Sequence, residues 1–286
     1  MVPTDLAALL RSVFGSLWQS VERLPLQVAG PLDQFEIQRV IPLPNDAGAI
    51  DLSITNSTVW MAIGVGTAVL FLMGATRKLT LVPGGLQSVA EMTYEFVAKM
   101  VRDAMGDEGR PFFPFVFTLF LFIFLSNLLG LLPTIPGTPE NLQVFTPTSH
   151  IIVTFMLAVM SVGLVIVIGF LKNGLGFLRL FAPAGVPLWL MPLIVPIEIV
   201  SFLSRPVSLA VRLFANMLAG HIVLKVFAGF VVSMLGVGGM VGVLSILPML
   251  GMVGVFLLEF LVAFLQAFVF SVLTCIYLHD ALHPAH

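Results

Sequence analysis

From Leu180 to Leu278 the only formally charged side chains are Glu198, Arg205, Arg212, Lys225 and Glu259, and three upstream runs, Thr58 to Thr76, Phe112 to Leu132 and Ser149 to Leu171, hold none. A helix needs about 20 mostly apolar residues to cross a hydrocarbon layer about 30 Å thick. Each upstream run meets that length, so lipid rather than water must solvate much of this chain. The composition agrees: 58% of the 286 residues are hydrophobic and 10% charged, and the mean hydropathy is +1.07. A net charge of -2 offers neither a broad basic surface for nucleic acid nor an acidic tail for a basic partner. The single cysteine, Cys275, lies inside an apolar run. That excludes an internal disulfide and a multi-cysteine metal site, and Cys275 reads as a small packed or lipid-facing residue.

The three runs predict three ordinary spans. The stretch after Arg179 divides into two long helices, from about Pro187 to Phe227 and from about Val241 to Leu278, joined by a Gly-rich turn holding Gly236, Gly238, Gly239 and Gly242. Roughly 40 residues at 1.5 Å each make about 60 Å, twice the hydrocarbon thickness. Such helices must tilt or bend, and Pro192, Pro196 and Pro206 supply sites for bending by removing backbone donors. The expected fold is an all-α integral membrane protein of about five membrane helices plus amphipathic surface helices, the last two long, tilted and paired as a hairpin.

Arg77, Lys78, Lys99, Arg102 and Arg110 lie between the first two spans, Lys172 and Arg179 follow the third, and Pro133 to Thr148 has no Lys or Arg. The positive-inside rule then places the N-terminus outside and the C-terminus in the cytoplasm or its organellar equivalent. In Gly84 to Met105, Leu86, Val89, Ala90, Val97, Met100 and Val101 share one helical face and Glu91, Glu95, Lys99 and Arg102 the other, the pattern of a surface helix or a partner-binding one. Residues 1–51 read as a separate outer segment, with Leu6, Leu9, Leu10, Val13, Phe14, Leu17 and Val21 at helical spacing and an irregular Pro25 to Asp51; residues 52–286 form the membrane domain. The early helix is too interrupted by Asp5, Arg11 and Glu22 for a secretory signal, although an amphipathic presequence fits as well as a surface helix.

An ionisable group at membrane depth costs about 2.5 to 3.5 kcal/mol on insertion scales, so each one is a functional candidate. With Arg212 as zero on a helix turning about 100° per residue, Glu198, Ser201, Arg205, Ser208 and Asn216 all fall within about 40° of it. His221 points to the opposite side, about 13 Å along the axis. On the last helix Glu259, Gln266 and Tyr277 share a face. Glu259 and His221 together are a carboxylate and an imidazole able to pass a proton near neutral pH. Arg212 cannot join such a relay, because guanidinium does not deprotonate, and it suits a fixed positive charge. The competing reading of the stripe is a structural ion-pair network between helices. His279 and His283 have the spacing of two metal ligands, yet a solvated chain end explains them more simply. Asn56, Ser57 and Thr58 match a glycosylation sequon and also a helix N-cap, the preferred reading. No phosphate loop is present, and neither a cofactor nor a metal is expected.

The run from Ser204 through Arg205, Pro206, Val207, Ser208, Leu209, Ala210, Val211, Arg212, Leu213, Phe214, Ala215, Asn216, Met217, Leu218, Ala219 and Gly220 to His221 closely resembles the signature of subunit a of F-type ATP synthases. Further matches are Phe35 to Ile37, Ser126 to Pro133, and Leu265 to Phe270. The pairing of His221 with Glu259 resembles the alphaproteobacterial and mitochondrial branch; other bacterial members exchange the two positions. The resemblance implies a proton-translocating stator subunit whose last two helices lie against a ring of c subunits, with b-type peripheral stalk subunits and the rest of the synthase as partners and ATP chemistry on other chains. It implies that Arg212 faces the ring carboxylate, that His221, Glu259, Asn216 and Gln266 line an outer half-channel, and that Glu198, Ser201, Arg205 and Ser208 lie toward the inner exit. A bacterial cell inner membrane is the expected location, a mitochondrial one the alternative. Two other classes compete: a secondary transporter, which requires internal repeats that are not evident, and a membrane metalloprotease, which lacks a third ligand.

Overall fold

The computed structural model describes residues 37–41, 53–77, 79–132, 144–181 and 189–283. The expected N-terminal helix, and all of the 1–51 segment but residues 37–41, lie outside them. A short antiparallel ribbon pairs β1 (Arg39–Ile41) with β2 (Ile54–Thr55), Arg39 opposite Thr55. This adds a strand where Pro25 to Asp51 read as irregular. The rest is helical: α1 (Asn56–Thr76), α2 (Gly85–Met105), α3 (Phe113–Gly130), α4 (Ile151–Asn173), α5 (Met191–Val237), α6 (Gly239–Leu244) and α7 (Ile246–Leu282), with short 3-10 turns at Gly106–Phe112, Pro147–Ser149 and Gly174–Phe181. Five helical stretches among the described residues are long and apolar enough to cross a membrane. The expected all-α membrane architecture is therefore observed.

The cap of α1 is Thr55 rather than the sequon residues. Its hydroxyl accepts from the Thr58 N–H at 3.4 Å. Asn56 is buried, and its Oδ1 accepts from the N–H groups of Ser57 at 2.8 Å and Gln38 at 3.3 Å. A sequon asparagine so engaged ties the ribbon to the helix.

α5 is 47 residues long, about 70 Å if straight, and runs ten residues past the expected end at Phe227. Nothing in Ala228 to Val237 breaks a helix as strongly as Gly238 and Gly239, whose positive φ of 70° and 57° ends α5 and starts α6. Pro196 and Pro206 lie inside α5, but Pro192 falls in its first turn, where no backbone donor is lost.

The chain divides into two compact units. One comprises Ile37–Ala219 and the residues from Glu259 onward; the other, among the described residues, is Gly220–Leu258. In the smaller unit the end of α5 and the start of α7 pack together, since a Cβ on Gly251 would meet the Phe227 ring at 2.7 Å. In the larger unit α2 inserts Val97, Met100, Val101 and Met105 into a core shared with Val116, Phe120 and Ile123 of α3. Phe96 bridges Phe120, Phe264 and Phe268 at ring separations of 5.8, 5.4 and 5.7 Å. Offset and edgewise rings at these distances favour packing beyond area burial. The expected apolar face of α2 is thus buried over its C-terminal half only; Leu86 and Val89 remain exposed. The segment around His279 and Asp280 is packed rather than solvated. Ala281 and Leu282 are buried, and Asn173 Nδ2 donates to the Ala281 carbonyl at 2.8 Å, anchoring the last turn of α7.

Gly130 ends α3 against Thr146, whose Cβ and Cγ2 would each lie 2.7 Å from an added Cβ. Gly130→Val is expected to destabilise the protein by about 1 to 3 kcal/mol through overpacking. Thermal denaturation of the detergent-purified chain checks this, and an unchanged midpoint would mean that the loop yields freely.

Candidate functional site

Position on α5 decides which of its polar residues meet the protein and which face outward. In the larger unit its buried positions are Phe202, Leu209, Ala210, Leu213 and Met217. On a helical wheel these centre about 100° from Arg212. Ser201, Ser208 and Arg212 are exposed, whereas Glu198, Arg205 and Asn216, turned slightly toward the buried side, are half-buried. The polar stripe read from the sequence therefore exists, lying along the edge of the packed face.

The two arginines of the stripe have opposite surroundings. Arg205 Nη1 lies 3.4 Å from Asp280 Oδ2 near the end of α7, and its guanidinium lies 4.7 Å from the Tyr277 ring centre and 5.2 Å from that of Phe202. Arg212 forms no hydrogen bond or ion pair with any described residue of its unit. The exposed residues nearest to it on the wheel are Ser208, Ala215 and Ala219, which are small and uncharged. An exposed cation on a helix long and apolar enough to cross a membrane is a functional candidate.

Glu259 lies on the stripe by which α7 packs, in line with Ala263, Ala267, Phe270, Thr274 and Leu278. It is 4% exposed, and its Oε2 has no hydrogen-bond partner among the described residues. Gln266, two turns on, is half-buried. Asn127 of α3 fixes this part of α7: its Nδ2 donates to the Ala263 carbonyl at 3.4 Å, one turn beyond Glu259, and its Oδ1 accepts from Thr148 Oγ1 at 2.6 Å. Ser126 and Ser271 also bury hydroxyl oxygens without partners among the described residues. Such groups mark an interior more polar than apolar packing needs. In the smaller unit His221 is buried at 8% exposure, with Lys225 one turn on along α5. The pairing of His221 with Glu259 joins residues of different units and rests on the sequence pattern alone.

Asp280 and Asn173 were not singled out by sequence reasoning. The signal for Asp280 was its place three residues after Tyr277, on a helix already carrying Glu259 and Gln266. The two histidines beside it, His279 and His283, lie 4.9 Å apart between ring centres, and His283 Nε2 is 3.6 Å from Glu108 Oε1. That contact engages His283 with an acid from the 3-10 turn after α2.

Residues 57–279 match the family described as ATP synthase A chain. The ATP synthase subunit a of Mesorhizobium japonicum is 57% identical over 256 residues, covering 90% of this chain and 97% of that protein. Those of Chelativorans sp. and Allorhizobium ampelinum are 56% and 54% identical, over 90% and 89% of this chain and 98% and 97% of theirs.

Replacing Asn127 with Leu removes a link on either side of it and is expected to lower stability by about 1 to 3 kcal/mol, against about 0.5 to 1.5 kcal/mol for Thr148→Val, which removes one. Denaturation midpoints of the two variants compare the effects. Equal losses would show that the bond to Ala263 contributes nothing.

Proposed function

As the chain belongs to the family of ATP synthase a subunits, the proton-translocating subunit of the membrane sector, we propose that Arg212 is the fixed charge that couples proton flow to rotation of a c-subunit ring. One observation carries this reading: Arg212 is exposed beside small uncharged side chains and has no partner among the described residues of its unit. A permanent internal counter-ion would have made it structural. In this reading its partner comes from another polypeptide, and a ring of membrane carboxylates supplies a succession of them.

Protons enter from the outer side by way of Glu259 and His221, with Asn216 and Gln266 lining the path, and neutralise a ring carboxylate, which can then turn into lipid. The carboxylate arriving from the other side meets Arg212. That charge favours the ionised form, so the proton leaves toward the inner exit past Glu198, Ser201 and Ser208. The guanidinium also opposes direct passage of a proton between the two half-channels, being a cation that cannot relay one. Each proton supplies about 2.3 kcal/mol per 100 mV, so several must pass for each ATP made.

The chain is a multi-pass bacterial membrane protein, as its spans and relatives indicate. We place it in the cell inner membrane, with the c-ring and b-type stalk subunits as neighbours and no bond-making site of its own.

Arg212→Ala is expected to abolish ATP-driven proton pumping in membrane vesicles; normal pumping would reject its role. Exchanging the residues at 221 and 259 (H221E with E259H) should retain more transport than either replacement alone, by about 0.5 kcal/mol of coupling or more. If the exchanged protein is no better than the worse single replacement, the two do not act as a pair.

A further inference from the structure

Arg205 stands seven residues before Arg212, within about 20° of it on the wheel and about 10.5 Å along the axis. By position it belongs to the exposed stripe. Yet its side chain is only 19% exposed, being held by Asp280 at 3.4 Å and the rings of Tyr277 and Phe202 at 4.7 and 5.2 Å. Guanidinium suits this arrangement, since it can lie over aromatic faces while its N–H groups reach a carboxylate. The last carbonyls of α7, which ends at Leu282, add negative potential at the same place.

We infer that Asp280, with Tyr277, is a positioning residue that holds the Arg205 cation off the exposed face of α5, so that of the two arginines on that face only Arg212 is left unpartnered among the described residues. This rests on the reading of that face as the one a rotor passes. Asp280 touches no reacting group and acts through Arg205. Without it, the long Arg205 side chain is free to turn back to the stripe, two turns from Arg212 on the same side. A ring carboxylate would then find two cations in succession. The second would hold it ionised after it had left Arg212, or intercept it before it arrived, and the ring would stall.

The restraint is different in kind from a clamp that merely joins two helices. If the pair only tied α5 to α7, removing both partners would be at least as harmful as removing one. If Asp280 restrains a harmful charge, neutralising that charge repairs the loss of the restraint.

The experiment uses the intact synthase in membrane vesicles and measures ATP-driven proton pumping per complex, with the amount of this chain that co-isolates with the ring quantified for each variant. Asp280→Asn is expected to slow pumping at least about five-fold, and adding Arg205→Gln to raise it again at least about two-fold above Asp280→Asn alone. Pumping by Asp280→Asn at the normal rate, or a double variant no faster than Asp280→Asn, would overturn the inference. So would failure of both variants to assemble, because the pair would then be a folding requirement. Arg212→Ala is measured in parallel. Normal pumping there removes the functional reading itself, whereas an inactive Arg212→Ala beside an unrepaired double variant removes only the role given to Asp280.

Discussion

A charge in hydrocarbon must find a partner, and the larger unit solves this differently for each of its membrane-depth ions. Arg205 has Asp280 and two aromatic faces. Glu259 is buried on the packing stripe of α7, with one oxygen unpartnered among the described residues. Arg212 is exposed, with no partner among the described residues of its unit. An insertion cost of about 2.5 to 3.5 kcal/mol per ion favours a partner for Arg212, which the proposed mechanism draws from outside the chain.

The packing around that position is correspondingly firm. The aromatic group of Phe96, Phe120, Phe264 and Phe268 locks the surface helix α2 onto α3 and α7. Asn127 and Asn173 each donate to a carbonyl of α7, near its middle and at its end. Carbonyls of a helix are already bonded within it, so a side-chain amide aimed at them specifies register more than it adds strength. Register is what matters here. Since Glu259, Tyr277 and Asp280 project from the same helix, a slip of one residue would rotate all of them by about 100°.

Much of this was legible in the sequence because it rests on periodicity. The uncharged runs fixed the membrane spans, and the spacing of Glu198, Ser201, Arg205, Ser208, Arg212 and Asn216 fixed a stripe whose exposure follows the wheel. What escaped depended on non-local partners or on weak local signals. The end of α5 was misplaced because Gly220 and Gly229 sit inside the helix while the break comes at Gly238 and Gly239, and only positive φ distinguishes the two cases. The segment His279 to His283 read as a tail because its polarity matched one; the carbonyls it offers to Asn173 and the carboxylate it offers to Arg205 are contacts more than seventy residues away in sequence. For the same reason the cap of α1 passed to Thr55, once Gln38 had claimed Asn56.

The contrast between the two arginines gives the clearest physical criterion for a stator charge. A cation satisfied within its own chain changes less in energy when an acid passes outside. A cation left unsatisfied changes energy each time an acid approaches or departs, and that difference is what can be coupled to movement. For the coupling to have a direction there must be one such charge per path. A face carrying two equivalent cations would offer a carboxylate two wells of similar depth, with a barrier between them and no net gain in moving from one to the other. On this argument the internal engagement of Arg205 is as necessary to the proposed mechanism as the exposure of Arg212, and the pair at the end of α7 belongs to the function although no proton passes through it.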